Sequence, residues 1–275
     1  MPGLVGAMLR DFDPRVAGAC RGSHSLIGEA LPQEATLRLL SFNMQAGMAM
    51  THLHHYVTRS WRHFLPSRHP RAALDAIADL LRRADIVALQ EVDAGSLRSG
   101  FINQLQHLAQ HAGFRFQYQQ INRDLGHLGQ YANGLLSRLQ PYRIEDHQLP
   151  GLRGRGAILA AYGDPADPLL VLNLHLALTG RARDRQLAYV HALIGSTRRV
   201  LLLGDLNCTH QELLRSPLGD MDWQWAYGEL DTYPSWDPVR RIDHILASKD
   251  LTIAKVQVLD QRLSDHRPVY MEVKI

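Results

Sequence analysis

The chain repeatedly runs a short apolar, β-prone stretch into a polar side chain. The clearest case is "VLLLGDLNCTH", residues 200–210. Residues 200–203 have the pattern of a strand buried on both faces. Gly204, Asp205, Leu206 and Asn207 follow. Side chains alternate along a strand, so Asp205 and Asn207 share a face if the extended path continues past Gly204. Two oxygen-bearing groups would then stand at a strand's C-terminal end, where open sheets commonly build sites. Gly, Asp and Asn are also common turn residues, so a plain turn is the competing reading.

The same arrangement recurs. Asn43 ends "LRLLSFN", and Glu91 ends "IVALQE". Asn173 and His175 lie two apart in "VLNLHLAL". Asp243 and His244 lie in "RIDHIL", and Asp265 and His266 in "LSDHRPV". Each has a bland reading alone. An Asn or Asp after a strand starts a turn, a His in an apolar strand is a hydrogen-bonded core residue, and Asp243 near Arg241 is half of an ion pair. Together they are costly to bury unless they meet partners or a metal.

Helical spacing covers 70–84, 100–113 and 182–194, with strands predicted at 37–44, 85–92, 114–121, 133–138, 156–163, 168–178, 199–207, 241–248, 251–260 and 267–275. That order predicts an α/β (α+β) chain, a four-layer sandwich in which two packed mixed β-sheets are flanked by helices. One domain over 36–275 suits the 275 residues. Residues 1–35 lack periodicity and are expected to be an N-terminal extension, loosely ordered or capping the domain. With 45% hydrophobic and 21% charged residues, the composition is that of a globular protein rather than a disordered one. Cys20 and Cys208 are the only cysteines, which excludes a disulfide framework and a Cys-rich zinc pattern. No run approaches the ~20 apolar residues of a membrane span. The N-terminal apolar patch is too short for a signal segment, so a cytoplasmic protein is expected. A net charge of +3 permits a polyanionic partner without demanding one.

The motifs "SFNMQ", "LQEV", "NLHL", "GDLN", "RIDHI" and "SDHRPV", in that order, resemble the endonuclease/exonuclease/phosphatase superfamily. That group includes pancreatic-type deoxyribonucleases, abasic-site endonucleases, neutral sphingomyelinases and inositol polyphosphate 5-phosphatases. The resemblance covers roughly residues 37–275. "GDLN" followed by "SDHRPV" is its specific pair, whereas "LQEV" alone is weak.

The resemblance implies hydrolysis of a phosphate ester by in-line attack of water, helped by Mg²⁺ or Mn²⁺. A hard cation wants carboxylate and carboxamide oxygens. Glu91 matches the family's principal metal carboxylate, Asn43 would sit beside it, and Asp265 is a further ligand. By the same resemblance Asp205 orients or deprotonates the water, and Asn207 donates to the phosphate. His266 donates to a phosphate oxygen or acts as acid or base, and Asp243 holds its imidazole. His175 matches a second phosphate-facing histidine of the nuclease-like members. Gln45 departs from the Asp of the abasic-site enzymes, which weakens that assignment. His244 stands where an aromatic is common and is read as structural.

Substrate contacts are expected from Gln45, Asn133, Asn173, Tyr233 and Trp236. Asn133 closes the Gly-rich stretch 122–138, whose competing reading is an ordinary hairpin loop. Tyr233 and Trp236 precede the Asp243 strand, with a packing role as the alternative for Trp236. Residues 51–74 contain no acid, four arginines and five histidines, with Tyr56, Trp61 and Phe64 interleaved. That composition suits single-stranded nucleic acid, or an anionic membrane surface. No obligate protein partner is implied. The leading expectation is a phosphodiesterase acting on DNA or RNA. The alternatives are a phosphoesterase on lipid headgroups or small phosphorylated metabolites, and an inactive binding module on the same fold.

Overall fold

The computed structural model describes residues 19–31, 35–45, 70–126, 129–151, 153–225 and 230–275. Residues 51–69 of the basic stretch, and residues 1–18 of the expected extension, lie outside the described residues.

The strands are β1 (Ala19–Ser25), β2 (Thr36–Asn43), β3 (Ile86–Asp93), β4 (Phe116–Asp124), β5 (Gln130–Ser137), β6 (Arg143–Gln148), β7 (Gly156–Tyr162), β8 (Leu169–His175), β9 (Arg199–Asp205), β10 (Trp223–Gln224), β11 (Asp243–Ser248), β12 (Thr252–Val258) and β13 (Val269–Lys274). The helices are α1 (Pro70–Leu81), α2 (Gln104–Ala112), α3 (Gly180–Ile194) and α4 (His210–Leu214). One sheet runs β1-β6-β7-β8-β9-β11-β10, the other β12-β13-β2-β3-β5-β4. Both are mixed: β2 pairs parallel with β3, and β8 with β9, while the other ladders are antiparallel.

Alternation along each strand builds the layers. On β2, Leu40 and Phe42 face α1 and α2, while Leu37 and Leu39 face the second sheet. On β8, Leu170, Leu172 and Leu174 face α3, while Leu169 and Val171 face between the sheets. Helix α1 buries Leu74, Ile77, Ala78 and Leu81, a spacing that forms one stripe. Helix α2 is capped by Asn103, whose side chain accepts from Gln106 N, and stops at Gly113 with φ 75°. Each fully buried Leu contributes about 2 kcal/mol. The expected four-layer sandwich is therefore present: helices, sheet, sheet, helices. No described helix is long and apolar enough to cross a membrane.

Within the expected extension, residues 19–25 form β1, the outer strand of the seven-stranded sheet, paired with β6. Neither strand stands out in the sequence. "ACRGSHS" offers no apolar alternation, and "RIEDHQ" reads as polar loop. Strand β6 buries Glu145 and His147 because they satisfy each other. His147 Nε2 lies 3.1 Å from Glu145 Oε2, and its Nδ1 3.0 Å from the Tyr189 hydroxyl.

The close approach of β8 explains why the apolar run 200–203 must be followed by glycine. Gly204 has φ 149°, and a Cβ there would lie 2.0 Å from the Leu174 carbonyl oxygen of the neighbouring strand. Gly204→Ala is expected to lower stability by more than about 3 kcal/mol, because backbone rather than a movable side chain blocks the methyl. Urea unfolding checks this, and a loss under about 1 kcal/mol would show that β8 and β9 can separate at that point.

Candidate active site

The ladders line up a polar row. His175 on β8 is the register partner of Asp205 on β9, and Asp205 that of Asp243 on β11. All three have the parity of residues that face between the sheets, and they sit at the same end of the sandwich. The opposite sheet brings Asn43 and Glu91 to that end from the C-terminal ends of β2 and β3, which are parallel. Asp265 and His266 arrive on the turn before β13.

Glu91 reaches the cleft through a bulge. The β3–β5 register shifts between Leu89 and Val92, and Glu91 has φ 54°. Strict alternation would send Glu91 toward α2, with Leu89. The bulge turns it inward and lets Val92 return to the helix-facing core. Gln45 (φ 42°) and Asn207 (φ 50°) are also left-handed, so among the described residues three of the four positive-φ residues that are not glycine border this cleft. The extended path expected past Gly204 therefore ends in a turn. Asn207 N donates to Asp205 Oδ1 at 3.0 Å, and Asn207 Nδ2 to the Leu176 carbonyl at 2.9 Å.

A cavity of about 310 Å³ is lined by Gln45, Glu91, His175, Asp205, Asn207, Tyr233, Asp265 and His266. Asn43 and Asp243 stand behind its wall, each 2% exposed. Asn43 Nδ2 donates to Asp205 Oδ2 at 2.9 Å and lies 3.5 Å from Glu91 Oε1. Its Oδ1 accepts from Gln45 N at 3.0 Å. Asn43 thus braces two carboxylates with its nitrogen. His266 Nδ1 donates to Asp243 Oδ2 at 2.8 Å, and Thr232 Oγ1 donates to the same oxygen at 2.5 Å. His266 Nε2 is 4.0 Å from Asp205 Oδ2, and His175 Nε2 is 3.5 Å from it. The Tyr233 ring packs on His266 with centroids 4.9 Å apart.

The protonation states divide. Burial opposes charge on His266, but the Asp243, Asp205 and Asp265 carboxylates outweigh it and raise the imidazole well above 6.5. Burial, then the charges of Arg155 and His266, lower His175 well below 6.5, so that ring is neutral. Burial and the Asp243 charge raise the Asp205 carboxyl, against the pull of His266 and Asn43. A cationic donor and a carboxylate able to accept a proton therefore face one volume.

Asp205, Asp243 and His266 lie close enough to hold an ion, but hydrogen bonds already account for their geometry. Glu91, Asp265 and the orphaned amide oxygen Gln45 Oε1, which is buried without a partner, form an oxygen set suited to a hard divalent cation.

One expectation is corrected. Asn173 does not contact substrate. It is 0% exposed, donating to the Leu89 and Gly134 carbonyls at 3.1 and 2.8 Å and accepting from Gln90 Nε2 at 2.8 Å. It shares a face with His175 but lies one step deeper, beneath the opposite sheet. Ser235 turns the loop by donating from N to the Asp265 carbonyl and from Oγ to the Ser264 carbonyl; Tyr233 before it lines the cavity and Trp236 after it is half-buried. Asn133 is 1% exposed at the back of an adjoining cavity, donating to the Gly156 carbonyl at 3.0 Å, with its Oδ1 unpartnered. His244 is structural, its Nε2 donating to the Cys208 carbonyl at 2.8 Å.

Arg155 is a candidate functional residue that sequence reading missed. Its Nη1 lies 2.7 Å from Nε2 and 3.0 Å from Nδ1 of His175 and donates to the nitrogen with the lone pair. Its guanidinium borders both cavities. The one signal was "RGRG" immediately before β7, which places an arginine between glycines at a strand entrance.

Two variants test these assignments. Asn173→Ala removes three buried hydrogen bonds, those to the Leu89 and Gly134 carbonyls and the one from Gln90 Nε2, and is expected to cost about 3 kcal/mol in urea unfolding. Turnover per folded molecule should hold within about threefold, and a loss of turnover without a loss of stability would restore a substrate role. Burial, then the Arg241 charge, lowers His244 to about 4 from its ordinary 6.5. The unfolded chain then binds a proton that the folded one refuses, so stability should fall as pH drops from 6.5 toward 4. His244→Gln should flatten that part of the profile by up to roughly 3 kcal/mol, and parallel wild-type and variant profiles would refute it.

The model of the Endonuclease/Exonuclease/phosphatase family matches residues 40–266. An endonuclease/exonuclease/phosphatase family protein from Bacteroides thetaiotaomicron is 17% identical, with a TM-score of 0.65, over 89% of this chain and 99% of that one. The mannosyl-6-phosphatase of B. thetaiotaomicron VPI-5482 is 18% identical, TM-score 0.63, over 86% and 99%. TDP2 of D. rerio, complexed with a single-strand DNA product, is 17% identical, TM-score 0.62, over 88% and 100%. Comparison with curated proteins found no match. Likeness at these identities speaks for the fold alone, but the family match spans most of the sequence. The chain belongs to the Endonuclease/Exonuclease/phosphatase family.

Proposed function

We propose that this chain is a divalent-metal-dependent phosphodiester hydrolase that cleaves DNA or RNA. The observation that carries the nucleic-acid reading is the second cavity, of about 450 Å³, which adjoins the first. It shares Glu91, Tyr131, Arg155 and His175 with the first and adds Asn122, Arg123, Asn133 and Arg153. A substrate with one phosphate needs only the first cavity. A strand with successive phosphates uses the arginines beside it. The single-strand DNA product bound by the structurally similar TDP2 supports the same reading.

Glu91 and Asp265, with Gln45 Oε1, would hold Mg²⁺ or Mn²⁺, which when bound polarises the phosphoryl oxygen and offsets developing negative charge. Asp205, braced by Asn43 and Asn207 N, takes a proton from the attacking water. The new P–O bond forms as the bond to the leaving oxygen breaks. His266, held protonated by Asp243, donates to a phosphoryl oxygen. Arg155 and neutral His175 orient the phosphate from the opposite wall.

The test pairs bis-p-nitrophenyl phosphate with p-nitrophenyl phosphate, then adds DNA, RNA and sphingomyelin, each with Mg²⁺, Mn²⁺ or EDTA. Diester and nucleic-acid cleavage is expected, abolished by EDTA. Glu91→Gln and His266→Ala should each lower turnover at least about 10²-fold. Arg123→Ala with Arg153→Ala should weaken single-strand binding and reduce its log–log salt slope by about 1.4. Turnover of only the monoester, or only the lipid, would overturn the substrate while leaving the site.

A further inference from the structure

Two histidines that the cleft leaves unused lie on the outer helix layer. His107 and His111 are one turn apart on α2, so they emerge on one face. Their rings stack with centroids 3.9 Å apart and planes 17° apart. Asp75 reaches them from α1, its Oδ1 2.8 Å from His107 Nε2. A donor atom from each of the three lies within 4.8 Å of the other two. His111 Nδ1 is 2.9 Å from the His107 carbonyl. A carbonyl only accepts, so Nδ1 carries the proton and Nε2 keeps its lone pair free for a ligand bond.

These donors are held by core packing rather than by loops. Leu74, Ile77 and Ala78 of α1 share one apolar cluster with Leu105 and Leu108 of α2. Asp75 and His111 are exposed, so an ion can enter from solvent. The group is separate from the cleft. Gln104, at the start of α2, accepts from Asp93 N beside the Glu91 end of β3. At the end of α2, Arg138 donates to the Ala112 carbonyl and also to that of Ala84, at the other end of β3. That strand is about 25 Å long.

Two imidazole nitrogens and one carboxylate oxygen select Zn²⁺ and its neighbours over Mg²⁺ or Ca²⁺. We propose that Asp75, His107 and His111 form a metal site, distinct from the cleft, that takes Zn²⁺ or a similar nitrogen-preferring divalent cation and clips α1 to α2. On binding, His107 Nε2 exchanges its hydrogen bond with Asp75 for a bond to the ion, the ring then carrying its proton on Nδ1.

The experiment titrates Zn²⁺ calorimetrically into the tag-free full chain in excess Mg²⁺, for wild type, His111→Ala and His107→Gln. Both variants are expected to bind about one equivalent of Zn²⁺ less than wild type. The Zn²⁺-induced rise in thermal midpoint should be lost with that equivalent. Midpoints without Zn²⁺ establish that the variants fold, and alanine favours the helix at 111. Equal stoichiometry and equal Zn²⁺-induced shifts in all three proteins, or no Zn²⁺ uptake by wild type, would overturn the site.

Discussion

A buried amide, that of Asn173, ties together the two sheets that line the cleft. The cleft's residues come from both sheets, so the sheets must not slide over one another. Apolar packing is non-directional and resists sliding weakly. Asn173 supplies the direction. From the seven-stranded sheet it donates to the backbone of both β3 and β5 and accepts from Gln90 in the six-stranded sheet. In an interior with no competing water these bonds fix register as well as distance. His175 lies two residues further along the same strand, where the sheets part, so the constraint passes directly into the cleft.

Around that tie the protein gathers charges that repel. Glu91, Asp205, Asp243 and Asp265 converge on one end of the sandwich. Three devices make this tolerable. His266 carries a positive charge among three of them. Asn43 sets an amide nitrogen toward both Glu91 and Asp205. Arg155 brings a guanidinium whose charge faces Glu91 and Asp205. Gln45 Oε1 is left without a partner, and with Glu91 and Asp265 it makes the oxygen set that a divalent cation would complete.

Backbone conformation is adapted to the same end. Gln45, Glu91 and Asn207 occupy left-handed geometry that regular strands avoid. Each lies just where a ladder stops or bulges, and at Glu91 the bulge turns into the cleft a side chain that alternation would direct elsewhere. The surrounding ladders over-determine these three positions and hold them there.

The apolar runs and their polar ends were legible because burial on both faces and strand parity are local properties. They determined the strands of the two sheet centres, the helix stripes, and the polar groups that meet in the cleft. What parity could not decide is depth. Asn173 and His175 look alike in sequence, and only the sheet packed above separates a structural tie from a residue that lines the cleft. Strands β1 and β6 were hidden because their polar side chains are satisfied by one another and by Gln120 and Tyr189, which only the fold brings beside them. Arg155 was hidden because a loop residue carries no period. The stacked His107 and His111 pair lies one helical turn apart in sequence, but Asp75 joins it only because α1 and α2 share a core. Sequence determined which groups had to be buried or ligated. Tertiary packing decided which of them share a volume, since distance between elements is set by the sandwich as a whole.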